Sequence, residues 1–132
     1  MFLFHKDKIK KAFFAWFDGI LLDEIPDEVV AIHFNLYDDG DDKWSVEFVG
    51  AGSFDVEDSD WACDEIVTSR DNPFIINKSA NWQEIQQLAE KYISSYMNAG
   101  EFSDKLKSYA AVGVGFVDGD ISIVYTKDSF LA

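Results

Sequence analysis

The sequence predicts an α+β protein: an antiparallel sheet of about five strands with two helices packed on one face, in the order α-β-β-β-α-β-β. Three observations carry this. Two segments, near the start and in the second half, repeat their apolar residues at helical spacing. Three others alternate apolar and polar residues with a period of two. The links between consecutive strands are turns, too short for the crossover helices of a doubly wound parallel sheet. At 132 residues the chain has the length of one domain, and residues 1–132 are read as such.

The first helix is expected from about His5 to Leu22. Ile9, Phe13, Trp16 and Ile20 form a stripe that Phe17 and Leu21 widen, while Asp7, Lys8, Lys11 and Asp18 lie elsewhere on the cylinder. Pro26, followed by Asp27 and Glu28, marks the break. From Val29 to Tyr37 one face collects Val30, Ile32, Phe34 and Leu36, and the other Val29, Ala31, His33, Asn35 and Tyr37. Trp44, Val46 and Phe48 alternate with Ser45 and Glu47 in the next strand. Matching the apolar faces sets Leu36 opposite Trp44, Phe34 opposite Val46 and Ile32 opposite Phe48. That register calls for an odd loop of roughly three or five residues, with Gly40 at positive φ.

Trp61–Val67 reads as a third strand with Trp61 and Cys63 inward; Ala62 and Ile66 form the alternative buried set. Phe74–Ile76 adds a short edge segment. Asn81 with Glu84 three residues on opens the second helix as a capping box, whose stripe is Trp82, Ile85, Leu88, Ala89, Tyr92, Ile93 and Tyr96, ending at Gly100. Phe102–Tyr109 is a further helical turn or connector. Asp118-Gly119 then suits a two-residue hairpin turn, pairing Phe116 with Ile121, Val114 with Ile123 and Val112 with Tyr125. Gly113, Gly115 and Ser122 leave its other face bare, open to close approach by backbone or side chain.

Charge narrows the function. The net charge is −14, and ten of those fourteen charges lie between Asp38 and Glu65, where eleven acids face Lys43 alone. Such a field repels nucleic acid and anionic membranes, and it attracts basic proteins or cations. No apolar run approaches the ~20 residues of a membrane span. The N-terminal lysines interleave with apolar positions, unlike a signal peptide. With a single cysteine no internal disulfide forms, and the expected location is the cytoplasm. The sequence leaves the oligomeric state open.

Catalytic chemistry finds little support. Counting from Asp38 or from Asp55, neither acidic run meets the calcium-loop pattern, which needs Gly at the sixth position and Glu at the twelfth. Gly50-Ala51-Gly52 is too short to cradle phosphate and lacks a lysine. Cys63 sits beside Asp60 and Asp64, whose charge disfavours a thiolate, so it reads as a buried packing residue. His33 reads as a polar residue on the second face of the sheet. No cofactor and no catalytic residue is implied.

The run Phe54, Asp55, Asp58, Asp60, Trp61, Ala62, Cys63, Asp64 and Glu65, after an acidic hairpin, resembles small immunity proteins of bacterial polymorphic-toxin and contact-dependent inhibition systems. The resemblance extends to that patch and to the short, acidic, α+β style of the chain. It implies a non-catalytic protein that neutralises a cognate, basic, nuclease-like toxin by tight, electrostatically steered binding. The expected contact residues are Asp38, Asp39, Asp41, Asp42, Asp55, Glu57, Asp58, Asp60, Asp64 and Glu65. The alternatives are a small metal- or calcium-dependent enzyme built on a carboxylate cluster, and a regulatory or adaptor domain. Whether the two acidic lobes form one surface is left to the tertiary structure.

Overall fold

Six strands and three helices follow one another in the computed structural model, which describes residues 2–127. Helix α1 (Phe2–Leu22) leads into β1 (Ala31–Gly40) and β2 (Lys43–Ala51). A 3₁₀ turn (Ser59–Cys63) precedes β3 (Glu65–Thr68) and β4 (Phe74–Asn77). Helices α2 (Trp82–Ala99) and α3 (Ser103–Lys107) then carry the chain to β5 (Ala111–Phe116) and β6 (Ser122–Thr126). The α+β class stands, and both long helices pack on one face of the sheet.

The sheet order is β3-β2-β1-β5-β6, with β4 continuing beside β3 on the outer edge of β2. The sheet is mixed, not purely antiparallel, because β1 and β5 run parallel. Helices α2 and α3 return the chain to the end where β1 starts, so β5 enters in the same direction. Consequently β1 and β5 run toward the same end of the sheet, β5 stopping opposite Leu36 while β1 continues to Gly40.

The core forms where helix stripe meets strand alternation. Ile32, Phe34 and Leu36 of β1, Trp44, Val46 and Phe48 of β2, and Val112 and Val114 of β5 all face the helices and are buried. The centre of α1 is Phe13, Phe17 and Leu21, four residues apart; Ile9, Trp16 and Ile20 flank it half-buried. Trp16 lies at the margin because its indole N–H donates to the Asn72 carbonyl at 2.7 Å. Aromatic rings interlock here: Phe13 meets Phe74 edge-on at 5.5 Å, and Phe17 meets Phe34 at 5.2 Å.

Helix α2 starts as the capping box requires. Asn81 Oδ1 accepts from the Glu84 N–H at 2.9 Å, and Glu84 Oε1 accepts from the Asn81 N–H at 3.0 Å. Ile85, Ala89, Tyr92, Ile93, Tyr96 and Met97 are buried. Trp82, placed in the same stripe by periodicity, is instead 54% exposed, because the first turn of α2 overhangs the end of the sheet.

Strand registers differ from expectation in instructive ways. β1 and β2 pair Leu36 with Val46 and Phe34 with Phe48, two residues along from the expected register. A slip of two keeps every side chain on its face, so the faces are as expected although the partners are not. The loop is a two-residue turn with Asp41 (φ 54°) and Asp42 (φ 60°) both left-handed, and a bulge at Asp38–Gly40 supplies the odd residue; Gly40 has φ 83°. In the last hairpin, Val112 pairs with Tyr125 as expected. A bulge then shifts the ladder to Gly113–Ile123 and Val114–Ser122, so residues 117–121 form a longer loop than the expected two-residue turn.

The expected strand at Trp61–Val67 is replaced by the 3₁₀ turn and the shorter β3. Asp58 caps the turn by accepting from the Asp60 N–H at 3.0 Å. Trp61 and Ala62 are both buried, whereas Cys63 is exposed and is not the packing residue expected from the sequence. A tight turn of three residues per repeat brings successive side chains inward, which a period-two reading cannot do. Trp61 and Ala62 cover the second face of the sheet over Ala31, Ala51 and Ala111, with Phe54 and Ile121 beside them. The bare surface expected at Gly113 is therefore filled: a Cβ there would lie 3.0 Å from Ile121 Cγ2 and 3.3 Å from both His33 Nδ1 and Trp61 Cζ2.

Candidate functional site

The β1–β2 turn projects Asp38, Asp39, Asp41 and Asp42 from one end of the sheet, all exposed. Asp38 Oδ1 accepts from the Gly40 N–H at 3.0 Å, and the Asp42 carbonyl accepts from the Lys78 N–H at 2.8 Å, so the tip is anchored to its own bulge and to the end of β4. Among the described residues, ion pairs are formed by Arg70 alone, to Glu47 and Glu65. The four tip aspartates therefore face solvent without a cationic partner among the described residues.

Asp55, Glu57, Asp58, Asp60 and Asp64 are also exposed, but they follow the opposite end of β2. Eight residue steps of about 3.3 Å separate the ends of that strand, so the lobes lie on the order of 26 Å apart. The Debye length near physiological salt is about 8 Å, so the two lobes are electrostatically separate. Local turn chemistry explains part of the second lobe: Asp55 Oδ1 accepts from the Glu57 N–H at 2.9 Å, and Asp58 is the cap already described. Glu65 is engaged by the Arg70 guanidinium at 3.0 and 3.1 Å.

What joins the first lobe is a turn the sequence reading treated only as a hairpin. Because β5 runs parallel to β1 and ends opposite Leu36, the β5–β6 loop brings Asp118 and Asp120 beside Asp38. With Trp82 and Gln86 of α2 and Phe116 of β5, these residues line an open groove of about 700 Å³ between the first turn of α2 and the sheet end. Phe116 meets Trp44 at 6.0 Å and Trp82 at 6.1 Å, both edge-on, so an aromatic row runs from the core to the groove wall. Alternation could have placed Phe116 on the helical face. Only the parallel pairing places Asp118 and Asp120 with Asp38.

A second polar constellation sits on the opposite face. Glu47, 2% exposed, accepts from Asn35 Nδ2 at 3.0 Å, Tyr37 Oη at 2.8 Å and Arg70 Nε at 2.7 Å. Burial alone pushes its carboxyl upward; the three hydrogen bonds and the Arg70 charge outweigh that and hold it below the ordinary range. Tyr37 is pushed up to about 12, by burial first and then by the bond to Glu47. His33 is 2% exposed, edge-on to Trp61 at 5.8 Å, and its Nδ1 has no hydrogen-bond partner among the described residues. Burial pushes the imidazole down to about 4, against the Asn35 hydrogen bond and the Glu47 charge, so it is neutral at pH 7.

The sequence hinted at this network only through the shared parity of His33, Asn35 and Tyr37; Arg70, in a loop, carried no signal. Both Glu47 oxygens are already occupied, so the network ties β1, β2 and the Arg70 loop together without presenting a free base. Among the described residues, no three His, Cys, Asp or Glu side chains are grouped to hold a metal ion, and no helix is long and apolar enough to cross a membrane. Comparison with family models, characterised proteins and solved structures finds no match.

Proposed function

We propose that this chain is a non-catalytic acidic binding protein that acts in the cytoplasm to neutralise a cognate basic, nuclease-like toxin domain. The observation that carries the reading is the uncompensated tip. Asp38, Asp39, Asp41 and Asp42 stand together, exposed, without a cationic partner among the described residues, and Asp38 lies beside Asp118 and Asp120. Mutual repulsion makes such an arrangement costly to the fold, and a basic partner relieves it. The resemblance of Phe54–Glu65 to immunity proteins points the same way, with the nuclease's nucleic-acid site as the basic surface to be covered. Steering of this kind raises association rates to about 10⁸–10⁹ M⁻¹s⁻¹ at low salt.

The test is calorimetric titration with a candidate basic toxin domain taken from a neighbouring gene, at low and high salt. Affinity is expected to fall with salt and to fall further when Asp38, Asp39, Asp41 and Asp42 are changed to lysine. Failure to bind, or binding indifferent to both changes, refutes the proposal.

A further inference from the structure

We propose that the groove between α2 and the β5–β6 loop is an arginine-accepting anchor site, in which a side chain from a basic protein partner lies against Trp82 with its guanidinium among Asp38, Asp118 and Asp120. The inference rests on the acidic-binding reading and deepens it by naming the contact. Its starting point is Trp82. An indole is left 54% exposed at the wall of the groove, edge-on to Phe116. Trp16 and Trp44 each donate their indole N–H to a backbone carbonyl, and Trp61 is buried. Trp82 has no acceptor for its indole N–H among the described residues, and about half of its surface is open to solvent.

Charge complementarity selects the occupant. The groove lining carries three carboxylates and no base. The N-terminus of α2 opposes a cation with only about half a unit of positive charge, and the capping box already closes it with Glu84. The carboxylates therefore win. Arginine suits the site better than lysine, because its planar guanidinium lies flat on an indole while donating in parallel to carboxylates, whereas an ammonium does neither so well. The exposed indole of Trp82 beside Phe116 favours a protein segment over a free small cation, since a polypeptide also covers that apolar area. A nucleic acid would be repelled.

The probe is a hexa-arginine peptide, with hexa-citrulline as its neutral counterpart, titrated by calorimetry and tryptophan fluorescence at low salt. Hexa-arginine is expected to bind and hexa-citrulline not. Trp82→Ala should weaken binding about fivefold, and Trp82→Phe should restore part of the loss. Asp118→Asn with Asp120→Asn should weaken it about fivefold or more, a second route should the tryptophan variant fold poorly. Neutralising the far lobe with Glu57→Gln and Asp60→Asn should change it less than about twofold. If Trp82→Ala and the Asp118/Asp120 variant bind like the parent while the far-lobe variant loses affinity, the groove is overturned and acidic capture survives. Equal binding of hexa-citrulline, or no binding of hexa-arginine, overturns both.

Discussion

The position of the groove wall depends on how closely β5 lets the following loop approach, and three glycines make that dependence measurable. A Cβ built on Gly115 would lie 2.5 Å from the Asp120 carbonyl oxygen and 3.3 Å from Ile121 Cα. Both are backbone atoms, so the loop itself must move. Overpacking of this kind costs about 1–3 kcal/mol, and the entropy removed from the unfolded chain by Gly→Ala returns about 0.4–1. Gly115→Ala should therefore destabilise by about 1–2 kcal/mol, or roughly 4–8 °C in melting temperature for a chain of this length. At Gly119 the nearest atoms are 3.7 Å away and φ is not positive, so the same substitution should stabilise by about 0.4–1 kcal/mol. Gly113 meets only side chains, at 3.0–3.3 Å, which can give way, so its alanine variant should fall between the two. Urea denaturation of the three variants reads the order directly. Equal stability of Gly115→Ala and Gly119→Ala, or a stabilised Gly115→Ala, would refute the close approach of the Asp120 backbone.

Two further outcomes follow from the hydrogen-bonding and burial described above. Asn81→Ala removes the side-chain half of the capping box and should cost about 1 kcal/mol by urea denaturation, with α2 still formed by circular dichroism; an unchanged midpoint contradicts the cap. His33 binds its proton near the ordinary pKa of 6.5 when unfolded but only near 4 when folded. The unfolded state thus holds more protons in that interval, and stability present in full above pH 6.5 is lost as pH falls toward 4. Between pH 7 and 5 this amounts to about 2 kcal/mol, so the parent should lose that much more stability than His33→Gln over the same interval. Parallel pH profiles for the two proteins would exclude the buried neutral imidazole.

Local patterns decided much of this molecule. The aromatic stripe of α1, the capping box at Asn81 and Glu84, the faces of β1 and β2 and the left-handed Gly40 all follow from spacing and turn chemistry that act within a few residues. For that reason the alternation that put Phe34 and Phe48 inward held even though the strands slid by two. Contacts between distant segments lay beyond that reach. Cys63 is exposed because a 3₁₀ turn replaces a strand, a choice made by the fit of Trp61 and Ala62 over Ala31, Ala51 and Ala111. Arg70 meets Glu47 because a loop folds back over the sheet.

The same division governs the acidic surface. The order of residues alone established that the negative charge is clustered. It presented Asp38–Glu65 as one continuous run, yet the extended length of β2 holds its two lobes at opposite ends. The parallel pairing of β1 with β5, a non-local arrangement with no signature in the spacing of either strand, brings Asp118, Asp120 and Trp82 to Asp38 instead. Chain order determined where the acidic residues fall along the chain, and the direction in which β5 enters the sheet decided which of them meet at one end of it.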